Sequence, residues 1–325
     1  MDKLIIADAV RATEAGAIAA ARLMGRGDGV GADQAAVTAM RKAMDDADIS
    51  GTIVIGEGER DQAPMLFIGE QVGNADAAMR VDIAVDPLEG TNLVANGEPN
   101  ATAVLAAAEP GGLMHAPDTY LEKLIVGPSA AGKVSINDPV EKTLATIAET
   151  LGRNVRDITV VILERPRHEQ LISDVRAAGA RIKLIGDGDL TAGINVAISG
   201  TGLHAVMGIG GAPEGVLAAA ALKCLGGEIQ AKFKWRSDEE RERARTMGVD
   251  VDDDERVYFT DDLASGKNVV FCATGVTDGE LLRGVRFFGG GARTHSLLMS
   301  YRQGLVRFID TVHMWDPGNP PKVRL

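Results

Sequence analysis

"TVVILERPRHEQLISDVRAAGARIKLIGDGDLTAGINVAISGTGLHAVMGIGGAPEGVLAAAALKCL" (residues 159–225) switches between two hydrophobic periods. The short apolar runs "TVVILE" (159–164), "RIKLIG" (181–186) and "LHAVMG" (203–208) read as strands. The segments 168–178, 189–198 and 213–225 carry apolar residues at helical spacing. Strand alternating with helix predicts a parallel sheet with right-handed crossovers. Ligands of such sheets bind beyond the carboxyl ends of the strands. Those ends carry Arg165 and Arg167 in "ERPRH", Asp187 and Asp189 in "DGD", and Glu214 in "GIGGAPEG". Charge in one turn is commonly just a solvated loop. Charge at three ends on one sheet edge points to a site. Pro213 suits a first helical position, and Glu214 then falls in the first turn. There it either answers the helix dipole or ligates a metal beside backbone amides facing a phosphate.

Towards the N-terminus the pattern changes. A helix is expected at 140–151, and "SINDP" (135–139) is a connecting turn. Before it, 5–24 and 34–46 read as helices, and 52–56, 81–85, 102–108 and 123–127 as strands. The fold class is therefore α/β, with an α+β N-terminal half and an α/β C-terminal half. The division is a metal-binding domain at 1–145 and a substrate domain at 146–325.

With 325 residues, 45% of them apolar, the chain can bury a sizeable core. A net charge of -12 argues against a nucleic-acid or membrane-surface binder. Two cysteines, Cys224 and Cys272, lie in apolar surroundings and read as buried free thiols. The N-terminal segment reads as an amphipathic helix rather than a signal peptide, and no apolar run has the length of a membrane span. A cytoplasmic location is expected. The charge-dense stretch 236–255 reads as a solvated helix and an acidic loop without EF-hand spacing. "GPSAAGKV" (127–134) matches a P-loop until Val134 replaces the Ser or Thr that would touch magnesium.

The acids of the first half fall at element ends. Asp33 precedes a helical run, where an N-cap is the simpler role. Glu57 follows a strand, with Glu59 and Asp61 beyond it. "VDIAVDPLEGT" (81–91) ends in Asp86, Pro87, Glu89, Gly90 and Thr91, read as a stiff turn at a strand mouth. Two carboxylates 4 Å apart repel by about 4 kcal/mol at an effective dielectric of 20. Gathering Asp33, Glu57, Asp86, Glu89 and Glu214 therefore requires protonation or cations. Hard, oxygen-binding ions such as Mg2+ or Mn2+ fit such a set, and the motifs hold no His cluster for zinc. Carboxylates, a Thr hydroxyl and phosphate-binding backbone suit metal-assisted phosphate-ester hydrolysis.

"DPLEGT" (86–91) resembles the D-P-[IL]-[DE]-G-T signature of the lithium-sensitive, metal-dependent sugar phosphatase superfamily. The wider chain is similar to class II fructose-1,6-bisphosphatases. The similarity runs through "GRGD" (25–28), "GTIVIGEGERDQAPML" (51–66), "APDTYLEKLIVGP" (116–128), "RPRH" (165–168), "DGD" (187–189), "GIGGAPEG" (208–215) and "FCATGVTDGELLRGV" (271–285). The resemblance implies a layered αβαβα sandwich with metals and substrate in a cleft. It implies hydrolysis of the 1-phosphate of fructose 1,6-bisphosphate, in gluconeogenesis or carbon fixation. On matching positions Asp33 and Glu57 would hold one divalent ion, and Asp86, Glu89 and Glu214 further metal. Asp61 and Thr91 would orient and deprotonate water. Glu89, Gly90 and Thr91 would touch the scissile phosphate. Tyr120, Arg165, Pro166, Arg167, Asp187, Gly188, Asp189 and Gly211 would line the sugar and its second phosphate. Two other readings stand beside this one. One is dual action that includes sedoheptulose 1,7-bisphosphate. The other is a non-catalytic metal- or phosphate-binding regulator on the same scaffold. A homodimer or homotetramer is implied by the resemblance alone.

Overall fold

A computed structural model describes residues 2–58 and 65–315, with side chains from Ile5 onward. Two helices open it, α1 (Asp2–Ala21) and α2 (Gly29–Asp45). Then come β1 (Ser50–Ile55), β2 (Gln71–Gly73), β3 (Arg80–Glu89), α3 (Thr91–Asn96), β4 (Thr102–Ala108) and β5 (Tyr120–Val126). The middle runs α4 (Val140–Thr150), β6 (Thr159–Leu163), α5 (Glu169–Ala177), β7 (Arg181–Ile185), α6 (Asp189–Ala197), β8 (Ala205–Gly211) and α7 (Ala212–Leu225). The chain continues with β9 (Glu228–Lys234), α8 (Asp238–Thr246), β10 (Tyr258–Phe259), α9 (Thr260–Leu263) and β11 (Val270–Gly275). The last elements are β12 (Arg286–Phe288), β13 (Gly291–Ser300) and β14 (Leu305–Met314).

The strands form two sheets. The first has the order β12-β13-β11-β4-β3-β1-β2, with β14 also on β13. It is antiparallel except for β1 beside β3. The second has the order β10-β9-β5-β8-β6-β7. As the alternation of 159–225 predicts, β6 lies parallel to both β7 and β8. β5 and β9 add antiparallel neighbours, so the whole sheet is mixed. The two sheets do not coincide with the halves 1–145 and 146–325. β5 belongs to the second sheet, and β11 to β14 return to the first.

Strand alternation builds the layers. Ile53, Ile83, Val85, Leu105 and Cys272 face α1 and α2. Val54, Ala84, Val104, Phe271 and Ala273 face the opposite way, into a core shared with α6, α7 and one face of the second sheet. Val160, Ile162, Leu124 and Val126 cover that sheet's other face with Leu144 and Ile147 of α4 and Val175 of α5. The result is an αβαβα sandwich with α6 and α7 as its middle layer.

Three of the boundary shifts bear on the cleft, and each has an identifiable cause. The stretch 86–89 is the end of β3 rather than a free turn. Asp86 and Glu89 stay paired with Val104 and Thr102 of β4, across a register shift that absorbs Pro87. "GIGG" (208–211) continues β8, because β5 offers its Tyr120–Lys123 edge as a ladder partner. Helix α2 begins at Gly29, five residues earlier than expected, because Asp28 is the N-cap and accepts from Gly31 N at 2.8 Å. Asp33 is therefore inside the helix and free of a capping role. The P-loop reading has no support: α4 starts only at Val140, seven residues past Lys133. Both cysteines are free thiols, Cys272 buried and Cys224 half-buried.

Candidate active site

Asp33, Glu57, Asp86, Glu89, Gly90, Thr91, Asp187 and Glu214 line one cavity of about 670 Å³. They arrive by five routes. Asp33 comes from α2 and Glu57 from the exit of β1. Asp86 and Glu89 come from the end of β3, and Asp187 from the exit of β7. Glu214 comes from the first turn of α7, which begins at Ala212, so that Pro213 is its second residue rather than its first. Gly90 has φ +87°, and a Cβ on it would meet Leu93 Cδ1 at 2.8 Å. A residue free of both limits lets β3 turn directly into α3. Thr91 is then the first helical residue, its hydroxyl donating to Leu88 O at 3.2 Å. The starts of α3, α6 and α7 all lie at this cleft, the geometry that favours anions.

At the bottom, carboxylate oxygens of Asp86, Glu89 and Glu214 lie within 4.8 Å of one another. Glu89 is 4% exposed, and Leu190 N at the start of α6 donates to its Oε1 at 3.2 Å. Glu214 Oε2 is buried with no hydrogen-bond partner. An orphaned buried carboxylate oxygen beside two more acids is costly without a cation. The donor set is oxygen only, as magnesium or manganese prefers. The residues therefore fit a divalent ion held by Asp86, Glu89 and Glu214.

The acids show this frustration in their protonation. Burial, then the charges of Asp33 and Asp86, pushes Glu57 up to about 8. Burial also raises Asp33. Glu89 is driven well above the usual carboxylate range by burial first and then by Asp86, Glu214 and Asp189. Asp86 and Glu214 are raised too, again chiefly by burial. Raised acids bind more protons folded than unfolded. Stability from this source is therefore fully present only below about pH 4, the ordinary carboxylate range, and is lost as pH rises through the folded values, up to about 8 for Glu57. The metal-free protein should lose Tm steadily between pH 5.5 and 8.5, and millimolar Mg2+ or Mn2+ should restore it most at the alkaline end. A Tm of metal-free protein that rises with pH across that window would contradict the clustering.

Tyr120, Arg165, Pro166, Arg167, Gly188, Asp189 and Gly211 do not line this cavity; they sit on β5, in the turn after β6, at the start of α6 and at the end of β8. The turn 165–168 is pinned by His168, 2% exposed. His168 Nδ1 lies 2.7 Å from Leu163 O, and its Nε2 accepts from Ile209 N at 2.7 Å. Burial and the neighbouring Arg167 and Arg165 hold that imidazole below its usual range, hence neutral. Arg167 donates to Ile209 O at 2.8 Å and lies 4.9 Å over the Tyr120 ring. Arg165 turns to Glu164 O at 3.0 Å. Tyr120 pairs with Gly211 across β5 and β8. Asp189 is buried and faces Lys123 at 2.5 Å, and Gly188 caps α6 in the left-handed region. Asp61 lies outside the described residues.

Other residues at the cleft escaped the sequence reading. Arg236, like Arg167, lies over the Tyr120 ring at 4.9 Å. Arg243, Thr246 and Met247 of the α8 region line the cavity. The stretch 236–255 hides them, because its dense alternating charge reads as a solvated surface. Its acidic loop is answered by arginines: Asp250 by Arg256 at 2.5 Å, Asp252 by Arg245 at 2.9 Å, and Asp254 by Arg241 at 2.9 Å.

A sequence profile for bacterial fructose-1,6-bisphosphatase, glpX-encoded, matches residues 3–313. The chain belongs to that family. It is 49% identical to the D-fructose 1,6-bisphosphatase class 2/sedoheptulose 1,7-bisphosphatase of Synechococcus sp. (strain JA-3-3Ab), over 100% of both chains. It is 47% identical to the protein of the same description from Gloeobacter violaceus, over 98% of each chain. Against that of Synechococcus elongatus it is 48% identical, over 97% of this chain and 98% of the relative. Among solved structures, the extragenic suppressor protein suhB of Bartonella henselae matches 59% of this chain and 72% of its own, at 15% identity and a TM-score of 0.32. That likeness decides nothing about the site. Among the described residues no helix is long and apolar enough to cross a membrane.

Proposed function

We propose that this protein hydrolyses the 1-phosphate of fructose 1,6-bisphosphate, with Mg2+ or Mn2+, giving fructose 6-phosphate and phosphate. The observation that carries the reading is the convergence of Asp86, Glu89 and Glu214 around an unpartnered buried oxygen, in a chain of this family. Bound there, a divalent ion would neutralise phosphoryl charge and make hydroxide available near neutral pH. The chain's own groups do the rest. The start of α3 offers Gly90 and Thr91 to the scissile phosphate, and Asp33 and Glu57 supply a second acidic pair. Thr91 accepts a hydrogen bond from the attacking water while its proton passes towards Asp61, which requires its hydroxyl to give up Leu88 O. The water oxygen then bonds to phosphorus as the bond between phosphorus and the oxygen on C1 breaks; that oxygen takes a proton from solvent, and the proton passed to Asp61 returns to solvent. Arg165 and Arg167 offer forked donors to the far phosphate. Tyr120, Pro166, Asp187, Gly188, Asp189 and Gly211 shape the sugar pocket.

A second reading, activity on sedoheptulose 1,7-bisphosphate as well, is favoured by the names of the relatives. A panel of fructose 1,6-bisphosphate, sedoheptulose 1,7-bisphosphate and fructose 6-phosphate under one metal condition separates them. Phosphate release from the first supports the main reading, and release from both bisphosphates supports dual action. Release from fructose 6-phosphate alone would overturn both. The regulator reading is disfavoured because the hydroxyl and the metal acids are all retained.

A further inference from the structure

Lys123 stands where the alternation of β5 asks for an apolar side chain. Leu121 and Ile125, on the same face, lie in the core between the sheets, and Lys123 itself is 4% exposed. An ammonium there is expensive unless it is paired and hydrogen-bonded. Its Nζ lies 2.5 Å from Asp189 Oδ2 and donates to Gly211 O at 3.1 Å. These acceptors belong to different parts of the cleft. Asp189 opens α6, and Gly211 directly precedes α7, whose first turn carries Glu214. Room for the pair depends on Gly210: a Cβ there would stand 2.1 Å from Asp189 Oδ2 and 2.8 Å from Lys123 Nζ. Lysine, aspartate and glycine, from three elements, are thus fitted around one buried contact. Asp189 also repels Glu89 and Glu214, while Lys123 acts on Glu214 in the opposite sense.

We propose that Lys123 is a positioning residue of the active site: its ammonium ties Asp189 to the Gly211 carbonyl, keeps the starts of α6 and α7 in register, and holds the Asp189 carboxylate out of the metal's ligand set. The idea rests on the phosphatase reading for its kinetic consequence, but not for its metal-binding one. Sequence pattern alone carries a trace of it, since a Lys in the apolar stripe of "YLEKLIV" (120–126) breaks the alternation.

The test compares wild type, Lys123→Met and Lys123→Met/Asp189→Asn by titrating EDTA-stripped protein with Mn2+ in a calorimeter, after circular dichroism has checked the fold. Lys123→Met frees the Asp189 carboxylate and should bind Mn2+ about tenfold more tightly, one charge beside a divalent ion being worth at least that much at partly buried sites. The double variant should return to the wild-type isotherm. In turnover of fructose 1,6-bisphosphate, both variants should lose about 10²-fold in kcat/KM, the scale of a misplacement near 1 Å. A wild-type isotherm together with wild-type kcat and KM in Lys123→Met would overturn the proposal. So would identical Mn2+ isotherms for the single and double variants. If Lys123→Met does not fold, the double variant is compared with Asp189→Asn. Asp189→Asn leaves an unpaired ammonium near the metal and should bind Mn2+ about tenfold more weakly than the double variant; equal affinities would overturn the proposal. If wild type releases no phosphate, the phosphatase reading fails while the Mn2+ comparison still decides the role of Lys123.

Discussion

Glu214→Gln should lower kcat for fructose 1,6-bisphosphate by about 10²–10³-fold, the range seen when one group that stabilises developing charge is removed. The same variant should unfold at a higher temperature than wild type when both are stripped of metal at pH 8. The two effects share one cause. Glu214 sits within 4.8 Å of Asp86 and Glu89 with an oxygen that has no partner, so its charge serves a cation and, without one, is repelled by Asp189 and Asp86 more than Lys123 attracts it. An amide of the same shape removes the repulsion and the ligand together. The gain in metal-free Tm should be about 1–2 °C for each kcal/mol relieved in a chain of this length. Added Mn2+ should then stabilise the variant less than it stabilises wild type. A variant that loses both stability and activity would mark Glu214 as a packing residue, and retained turnover would remove it from the metal site.

Thr91→Val should cost more, about 10²–10⁴-fold in kcat, with KM and Mn2+ affinity little changed. The substitution keeps the branched shape beside Gly29, where even a Cβ would stand only 3.0 Å from Thr91 Cγ2, and deletes the hydroxyl. The lost bond to Leu88 O is local and at a helix start, so its cost to stability should be about 1 kcal/mol. A large fall in kcat with unchanged metal binding separates a water-orienting hydroxyl from one that merely supports α3. Equal loss in KM and metal affinity would assign Thr91 to binding instead.

Much of this was legible in the sequence, for reasons that can be stated residue by residue. The strands β6, β7 and β8 declare themselves because a strand and its crossover helix have different hydrophobic periods. Their ends could then be read for charge, and Glu214 beside Pro213 follows from helix-start chemistry. Asp82, Ala84 and Asp86 share one face of β3 as alternation requires, although Asp82 serves Gly111 N at 2.6 Å rather than the cleft. What stayed hidden depended on partners distant in sequence. Nothing local says that "GIGG" extends a strand, since the strand exists only because β5 lies alongside it. Nothing near residue 33 moves the start of α2 back to Gly29 except the capping side chain of Asp28. The cleft contribution of α8 is masked because an arginine that lines a cavity and one that faces solvent look alike in a charged run. Lys123 shows the reverse case, a broken alternation that is visible locally and gains meaning only beside Asp189 and Gly210.

On the proposed function, the buried acids of this cleft hold a divalent ion against a sugar bisphosphate. The most direct measurement is phosphate release from fructose 1,6-bisphosphate by protein stripped with EDTA, before and after Mn2+ is added back. No measurable release is expected without metal, and full turnover should recover on its return, saturating with Mn2+ concentration. Undiminished turnover in metal-free buffer would contradict it.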